Sequence, residues 1–314
     1  MTMTALSGPL VIYGPQPKTA AANQVVLPTT ADGGPSPFFA GITLLDSRFT
    51  YKGGGGTENS ALLAIGVALN GGYVTADQAP STASTNNIAV AAAVTSGTNM
   101  TLVSASAAGI TVLASALTIP QTGNTVAAGK LAIDLAPGLI YFGTYKSTAV
   151  ADLTKSLARA VSVTATSGAV GGAFLVQGAD LYVYPQTEKI TVASSPTGST
   201  TTNGKKSFKF ITAIKPQVTD AKSYSVGTAD IFGFPIRVDT FPYVTIGWAG
   251  SLVTASTGFL KADTTSPATN TTGDVRGTYA VQSVSDGTKT LQFFQDISPV
   301  NISTLVGIFG VIPA

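Results

Sequence analysis

The sequence contains no cysteine and no histidine, and charged residues make up only 10% of its 314 positions. Without cysteine the chain has no disulfide, no thiolate nucleophile and no soft metal ligand. Without histidine it lacks the side chain that most often exchanges protons near neutral pH. These absences remove most of the chemistry open to enzymes. We therefore expect no catalytic, cofactor-binding or metal-binding residues, and a structural protein.

The shortage of charge also constrains the surface. Soluble domains carry about 25% charged residues, so here Thr, Ser, Asn and Gln must cover much of the exterior. Such surfaces suit sheets with one solvated face and protein contacts that avoid desolvating charge. A net charge of +2 attracts nucleic acid or anionic membranes only weakly. The sequence predicts neither as a partner, and its apolar runs fall short of the ~20 residues of a membrane-spanning helix.

Short runs of Val, Ile, Thr and Ala, separated by turn residues, predict a mainly β chain with a sandwich-like or barrel-like fold. The predicted strands are Ile88–Val94, Met100–Ser104, Ile110–Leu117, Thr125–Val126, Lys130–Leu135, Val161–Thr166, Ala173–Gln177, Asp180–Tyr184, Lys189–Ala193 and Ser207–Ile214. Ser194 to Gly204 is predicted to be an exposed loop. The dipeptide Asp286-Gly287, between two strand-like runs, predicts a β-hairpin.

Helical signals are few, so one or two short helices are expected. Val150, Leu153, Leu157 and Val161 share one face and predict a helix near 147–161, with Arg159 in its last turn. The segment Ser60–Leu69 fits helix and strand equally well.

Proline recurs through residues 1–37, which favours an extended N-terminal arm over a flexible terminus. The predicted organisation is an arm at 1–37, a β-rich domain at 38–215 containing the helix, and a C-terminal β-rich domain at 216–314. The apolar segment Ile302–Ala314 is predicted to pack against a sheet or a neighbouring subunit.

Paired carboxylates are the catalytic route that this composition leaves open, as in glycosidases. The candidates are Asp230, Asp239, Asp263 and Asp274, near the aromatic residues Phe234, Tyr243 and Trp248. Each acid also has a turn-like context in which Asp is common, and this interpretation is favoured. A carbohydrate-binding surface without catalysis is the other alternative.

The segment Lys205-Lys206-Ser207-Phe208-Lys209-Phe210 alternates basic and aromatic residues. Such alternation suits a nucleic-acid surface when several stripes occur. A single stripe instead predicts a solvated strand with Phe208 and Phe210 facing inward.

The proline-rich arm, the Thr/Ala/Gly-rich β segments, the near absence of reactive side chains and the apolar closing section Gly277–Pro313 resemble virion proteins of tailed bacteriophages. The resemblance is to capsid decoration, or cement, proteins in particular. It implies a non-enzymatic protein on the capsid surface of a virion, which binds the major capsid protein and itself, as a homotrimer. The alternatives are a phage tail tube protein, a tail fibre or receptor-binding (carbohydrate-binding) protein, a capsid shell protein, a bacterial surface-layer or adhesin domain, and a hydrolase.

Overall fold

The structure, a computed structural model, describes residues 67–69, 72–118, 124–135, 157–181, 183–235, 237–263 and 273–296. This part of the chain is mainly β, as predicted, and its curled sheets form a half-barrel. The strands are β1 (Val67–Leu69), β2 (Gly72–Gln78), β3 (Ala89–Val94), β4 (Ile110–Val112), β5 (Leu117–Thr118), β6 (Thr125–Val126), β7 (Leu131–Ile133), β8 (Arg159–Ala165), β9 (Gly172–Ala179), β10 (Pro185–Val192), β11 (Thr200–Phe208), β12 (Phe210–Pro216), β13 (Asp220–Gly233), β14 (Val244–Trp248), β15 (Ser251–Val253), β16 (Phe259–Leu260), β17 (Thr278–Ala280) and β18 (Leu291–Asp296).

The described strands form three sheets and one two-stranded ribbon. The first sheet has the order β1-β2-β18-β14-β15, and the second has the order β10-β9-β12-β7-β4. The third runs β11-β8-β13-β17-β16, with β3 also paired to β13. Strands β5 and β6 form the ribbon. All of these pairings are antiparallel.

Strand β13 is 14 residues long and contributes to two hydrophobic cores. Its Tyr224 and Val226 belong to the core between the second and third sheets, together with side chains of β8, β9, β10 and β12. Its Phe232 belongs to the core shared with the first sheet, which also contains Trp248 and Phe293. The third sheet contains strands from both sides of position 215, because β13 pairs directly with β8.

The end of the predicted helix is wrong. Arg159–Ala165 is strand β8, and every one of its side chains is buried. Val161 and Val163 lie on one face at the two-residue spacing of a strand. This spacing, and not the helical one, describes the segment, because the strand lies inside a sheet that is covered on both faces. Leu157 and Ala158 are not helical either, and residues 147–156, the N-terminal arm, most of Ser60–Leu69 and the segment Ile302–Ala314 lie outside the described residues.

Several predicted strands are confirmed, with shifted ends. Ile88–Val94 contains β3, Thr125–Val126 is β6, Ala173–Gln177 lies within β9, and Lys189–Ala193 overlaps β10. Two are wrong, since Met100–Ser104 is irregular and Asp180–Tyr184 is a loop in which Val183 has a φ of 62°.

The predicted loop Ser194–Gly204 is wrong in its second half, where β11 begins at Thr200. The β-branched threonines pair with β8, and the hydroxyls of Thr201 and Thr164 are hydrogen-bonded at 2.8 Å. Cross-strand threonine pairs of this kind stabilise a sheet.

The Asp286-Gly287 hairpin is also wrong. The flanking strands β17 and β18 belong to different sheets, paired with β13 and β14 respectively. Asp286 instead holds a local turn, in which its Oδ1 accepts the backbone N–H groups of Thr288 and Lys289, both at 2.9 Å.

Candidate functional site

Arg159 lies at the centre of a buried ionic group that joins the three sheets. Its side chain is 0% exposed and lies over the ring of Phe232 at 5.0 Å. All five of its N–H donors are used. Nε donates to Ala229 O (2.7 Å), Nη1 to Ser81 O (2.7 Å) and Asp134 Oδ2 (3.0 Å), and Nη2 to Asp230 Oδ1 (2.5 Å) and Ser285 Oγ (2.8 Å).

We call Arg159, Asp134, Asp230 and Ser285 the Arg159 cluster. Ser285 closes it, because its hydroxyl lies 2.7 Å from Ser81 O and 2.6 Å from Asp230 Oδ1. A buried charge is tolerated when it is paired and fully hydrogen-bonded. The cluster thus fixes loops from distant parts of the sequence without leaving an unpaired charge at its centre.

A second buried group surrounds the loop before β17. Arg276 pairs with Asp180 through Nη2, and both side chains are almost fully buried. Asp274 Oδ2 accepts the backbone N–H of Ser207 at 3.0 Å and its hydroxyl at 2.9 Å. Burial raises the pKa of Asp180, and the Arg276 charge opposes this effect. These contacts bind the 273–277 segment to the end of β11.

Glu188 fills an irregularity in β11, and we call Glu188, Gly204, Lys205 and Lys206 the Glu188 cluster. The pairing of β11 with β8 shifts register between Asn203 and Ser207. The N–H groups released by this bulge are taken by Glu188 Oε1, at 2.6 Å from Lys205 N and 3.3 Å from Lys206 N. A carboxylate thus replaces the missing strand partner.

The other oxygen of Glu188, Oε2, is buried without a hydrogen-bond partner and lies against Gly204. Burial raises the pKa of Glu188 to about 7, although the two backbone N–H groups and the charge of Lys206 lower it. This carboxyl therefore titrates near neutral pH. A general acid or base must reach a substrate, whereas Glu188 is 0% exposed and its contacts are with its own chain.

Lys209 separates β11 from β12 and points into the protein. Its ammonium donates to the carbonyls of Ile133, Asp134 (2.9 Å) and Leu157 (2.8 Å). Burial lowers its pKa to about 7, and the Asp134 carboxylate opposes this. The Gln78 side chain bridges two of the same residues, since its Nε2 donates to Asp134 O at 3.1 Å and its Oε1 accepts the backbone N–H of Leu157 at 3.1 Å. We call this arrangement the Lys209 clasp.

The prediction for the basic–aromatic segment is therefore only partly confirmed. Phe208 and Phe210 face inward as predicted, and both are fully buried. Lys206 and Lys209 are also buried, so the prediction that this strand is solvated on its basic face is wrong. The bulge before Ser207 and the break at Lys209 disrupt the alternation on which that prediction relied.

The structure brings the segments of three candidate carboxylates together and leaves the fourth, Asp230, in another network. Asp263 N donates to Asp274 O at 2.8 Å, and Ala262 N donates at 2.9 Å to the carbonyl of Val238, the residue before Asp239. Asp230 belongs to the Arg159 cluster, and Asp274 binds Ser207. Asp239 Oδ1 accepts Nε and Nη2 of Arg237 at 2.9 and 2.7 Å. Asp263 Oδ2 accepts Gly273 N at 3.3 Å. Each carboxylate thus accepts hydrogen bonds from a loop or from an ion-pair partner, and Asp230 does so from within strand β13.

Two of the three aromatic residues near these acids, Phe234 and Trp248, lie in the interior. Phe234 and Trp248 belong to the core of the first sheet, where Phe234 packs against Phe293 with ring centroids 4.7 Å apart and ring planes tilted by 54°. Trp248 Nε1 donates to Ser283 Oγ at 2.9 Å. Rings enclosed in this way do not present a face to a sugar.

Within the described part of the chain, no three carboxylate-type side chains are grouped so that they could hold a metal ion. In the same part, no helix is long and apolar enough to cross a membrane.

Sequence reasoning missed both ionic clusters, although the pattern contained a signal for each. Glu188 has the same two-residue spacing as Gln186, Ile190 and Val192, and all four are buried. Arg159 likewise precedes Val161 and Val163 at the spacing of one strand face. A charged residue at an inward position of a strand indicates a buried ionic partner.

Comparison of the chain with protein-family models, with curated proteins and with solved structures finds no match.

Proposed function

We propose that the chain is a non-enzymatic structural protein of a virion, of the capsid decoration type, which binds and stabilises the shell through protein–protein contacts. The observation that carries the proposal is the interior position of a large part of its few charges. Among the residues that the structure describes, the buried charged ones are Asp134, Arg159, Asp180, Glu188, Lys206, Lys209, Arg237, Asp274 and Arg276.

Charges in the interior have two effects that suit such a role. They hold loops of different sheets in fixed positions, as Arg159 does for Asp134 and Asp230. They also leave an exterior dominated by Thr, Ser, Ala and Asn, which can be buried against a partner without desolvating ions.

The partners in this proposal are the major capsid protein and other copies of the chain, and the location is the outer surface of the capsid. Contacts between uncharged surfaces depend weakly on ionic strength, because there is little charge to screen. The dependence of binding on salt therefore distinguishes the proposed attachment from electrostatic adsorption.

The test is to purify particles from the source culture and measure the ratio of this chain to the major shell protein by quantitative mass spectrometry. We expect a fixed ratio and immunogold labelling over the capsid. Labelling along the tail or at fibre tips would support the tail alternatives, and absence from particles would overturn the proposal.

A rebinding experiment sharpens it. Capsids stripped of the chain should bind the recombinant protein to saturation and regain resistance to heat-induced rupture. Binding should be similar at low and high salt. Bovine serum albumin is the control for adsorption, and binding abolished by salt would contradict the proposed mode of attachment.

A further inference from the structure

Strand β11 is interrupted directly after the asparagine of an Asn-Gly dipeptide. Asn203 lies opposite Ser162 of β8, and no described strand pairs with residues 204–206. The Asn203 side chain is exposed and makes no hydrogen bond with the described residues. Within the described part of the chain, Asn203 is the only asparagine followed by glycine. Its amide therefore lies next to a stretch of backbone that the β8 ladder does not hold.

This dipeptide is open to a reaction within the chain. The backbone nitrogen that follows an asparagine can attack the side-chain amide carbon and close a cyclic imide, a succinimide. A side chain on the second residue obstructs the approach, and glycine has none. The reaction is slow by itself, because a backbone N–H is a very weak acid and a base must remove its proton. A carboxylate beside the second residue would supply that base.

Glu188 lies against this backbone. Its Oε1 accepts the N–H groups of Lys205 and Lys206. Its Oε2 fills the space that a Cβ on Gly204 would need and, among the described residues, has no hydrogen-bond partner. Burial and the charge of Asp274 raise the pKa of Glu188 to about 7, against the two N–H groups and the charge of Lys206. A general base is most effective when its pKa lies near the working pH.

We propose that Asn203 is a self-modification site, at which Glu188 promotes ring closure onto Gly204 and the conversion of Asn203 to aspartate and isoaspartate. Glu188 Oε2 takes the proton of Gly204 N, and the electron pair of that nitrogen forms a bond to Asn203 Cγ. The bond from Cγ to the amide nitrogen then breaks, and this nitrogen leaves as ammonia with the proton that Glu188 returns. Water opens the imide at either carbonyl, which gives the two products and leaves Glu188 as it began.

The burial of Glu188 does not prevent this reaction, because the bond on which it acts belongs to its own chain. Each chain reacts once, so the site is compatible with a protein that has no enzymatic turnover. Isoaspartate lengthens the main chain by one carbon atom beside the Asn203–Ser162 pair, and it therefore shifts the register of β11 on β8. The site goes beyond the proposed function and is tested without particles.

Ageing the full chain in warm buffer at pH 8 tests the proposal. Peptide mass spectrometry measures the conversion of amide to acid at Asn203, and chromatographic separation of the two isomeric products identifies isoaspartate. Glu188→Gln keeps an acceptor for Lys205 N but cannot take a proton. This variant should convert Asn203 at least about tenfold more slowly than the wild type, since general-base catalysis contributes at least that much.

Two other asparagines are internal controls in the same digests. Asn70-Gly71 is the same dipeptide elsewhere in the chain, and its rate should be equal in the wild type and in Glu188→Gln. Asn99 is exposed but precedes Met100, so it should convert far more slowly than Asn203 in both proteins.

The pH profile separates proton removal by Glu188 from a loss of structure in the variant. In the wild type, the rate at Asn203 should rise with pH up to about 7, where Glu188 ionises, and then level off. In Glu188→Gln the rate should rise in proportion to the hydroxide concentration across the whole range. If circular dichroism shows that this variant is unfolded, the profile of the wild type decides alone.

Three outcomes would overturn the proposal: an Asn203 that remains an amide in the folded chain, equal rates at Asn203 in the wild type and in folded Glu188→Gln, or a wild-type rate that follows hydroxide without levelling off. None of them decides whether the chain belongs to a capsid. Conversely, absence from particles would leave the reaction at Asn203 intact.

Discussion

Arg159 and Glu188 are both closed to solvent, but the clusters around them compensate their charges to different degrees. Arg159 uses all five donors and faces two carboxylates. Glu188 receives two backbone N–H groups on one oxygen and nothing on the other. Removing one charged partner from the Arg159 cluster should destabilise the fold, because it leaves a buried charge uncompensated. The Glu188 cluster should respond to pH, because its charge is only partly compensated.

The largest effect is expected from breaking the Arg159 cluster. Arg159→Met leaves Asp134 and Asp230 without their buried counter-charge, and should lower the free energy of unfolding by about 3–5 kcal/mol. Urea unfolding followed by the fluorescence of Trp248, the single tryptophan, measures this. Arg237→Met is the matched control, since Arg237 pairs only locally with Asp239, and its effect should be smaller. An unchanged midpoint for Arg159→Met would contradict this account.

The Glu188 cluster should make stability depend on pH near neutrality. Its pKa is about 7 in the folded chain and 4.5 as a reference for the unfolded chain. The folded state binds the proton more tightly, so this contribution is complete below pH 4.5 and is lost as pH rises through 7. The full difference is on the order of 3 kcal/mol.

Glu188→Gln keeps an acceptor for Lys205 N and cannot ionise. Relative to wild type, the variant should gain stability as the pH rises from 5 to 8. Urea unfolding of both proteins across that range measures the difference, and titration of Lys209 is common to both and cancels. Parallel stability curves would show that Glu188 does not titrate in this window.

A smaller effect is expected from crowding the same carboxylate. A Cβ at Gly204 would overlap Glu188 Oε2, so Gly204→Ala should destabilise the fold by about 1–3 kcal/mol. The cost should largely disappear in a Glu188→Ala background, which a double-mutant cycle of thermal unfolding tests. If the effects of the two substitutions were additive, contact with Glu188 would not be the cause of the destabilisation.

The smallest effect is expected at the exposed Asp286 turn, which provides a reference for charge outside the interior. Asp286→Ala removes the acceptor for Thr288 N and Lys289 N. The melting temperature should fall less than in Gly204→Ala, since water replaces the lost hydrogen bonds. Those hydrogen bonds also lower the pKa of Asp286, so its contribution should weaken only in acid. A larger fall in melting temperature for Asp286→Ala than for Gly204→Ala would contradict the expected order of effects.

The sequence predicts local features of this fold better than long-range ones. The β class, strand β3 and the inward Phe208 and Phe210 follow from composition and alternation within a few residues. The Asp286-Gly287 prediction failed because a turn dipeptide specifies a reversal but not which sheet receives the next strand. The helix end failed because Arg159 fits a helix C-terminus as well as a buried strand.

The inward position of the two charges could be predicted from pattern, but their partners could not, and those of Arg159 are distant in the chain. Arg159 meets Asp230 after 71 positions and Ser285 after 126. Glu188 shares the two-residue spacing of the buried side chains of β10, which indicates that it faces inward. The bulge in β11 that receives it has no clear sequence signature. The structural interpretation of the four candidate aspartates stays a prediction, and the turn context expected for Asp230 is wrong because this residue lies within β13.

The Lys209 clasp has a consequence for how this chain can vary. One ammonium and one amide hold the carbonyls before position 135 beside the backbone at Leu157, so these two points of the chain are fixed relative to each other. When two fixed points are joined by a flexible insertion, doubling its length adds only about 0.6 kcal/mol of closure entropy. We expect the interval between 136 and 156 to be the natural place for an inserted tag or domain, and for length differences among related chains.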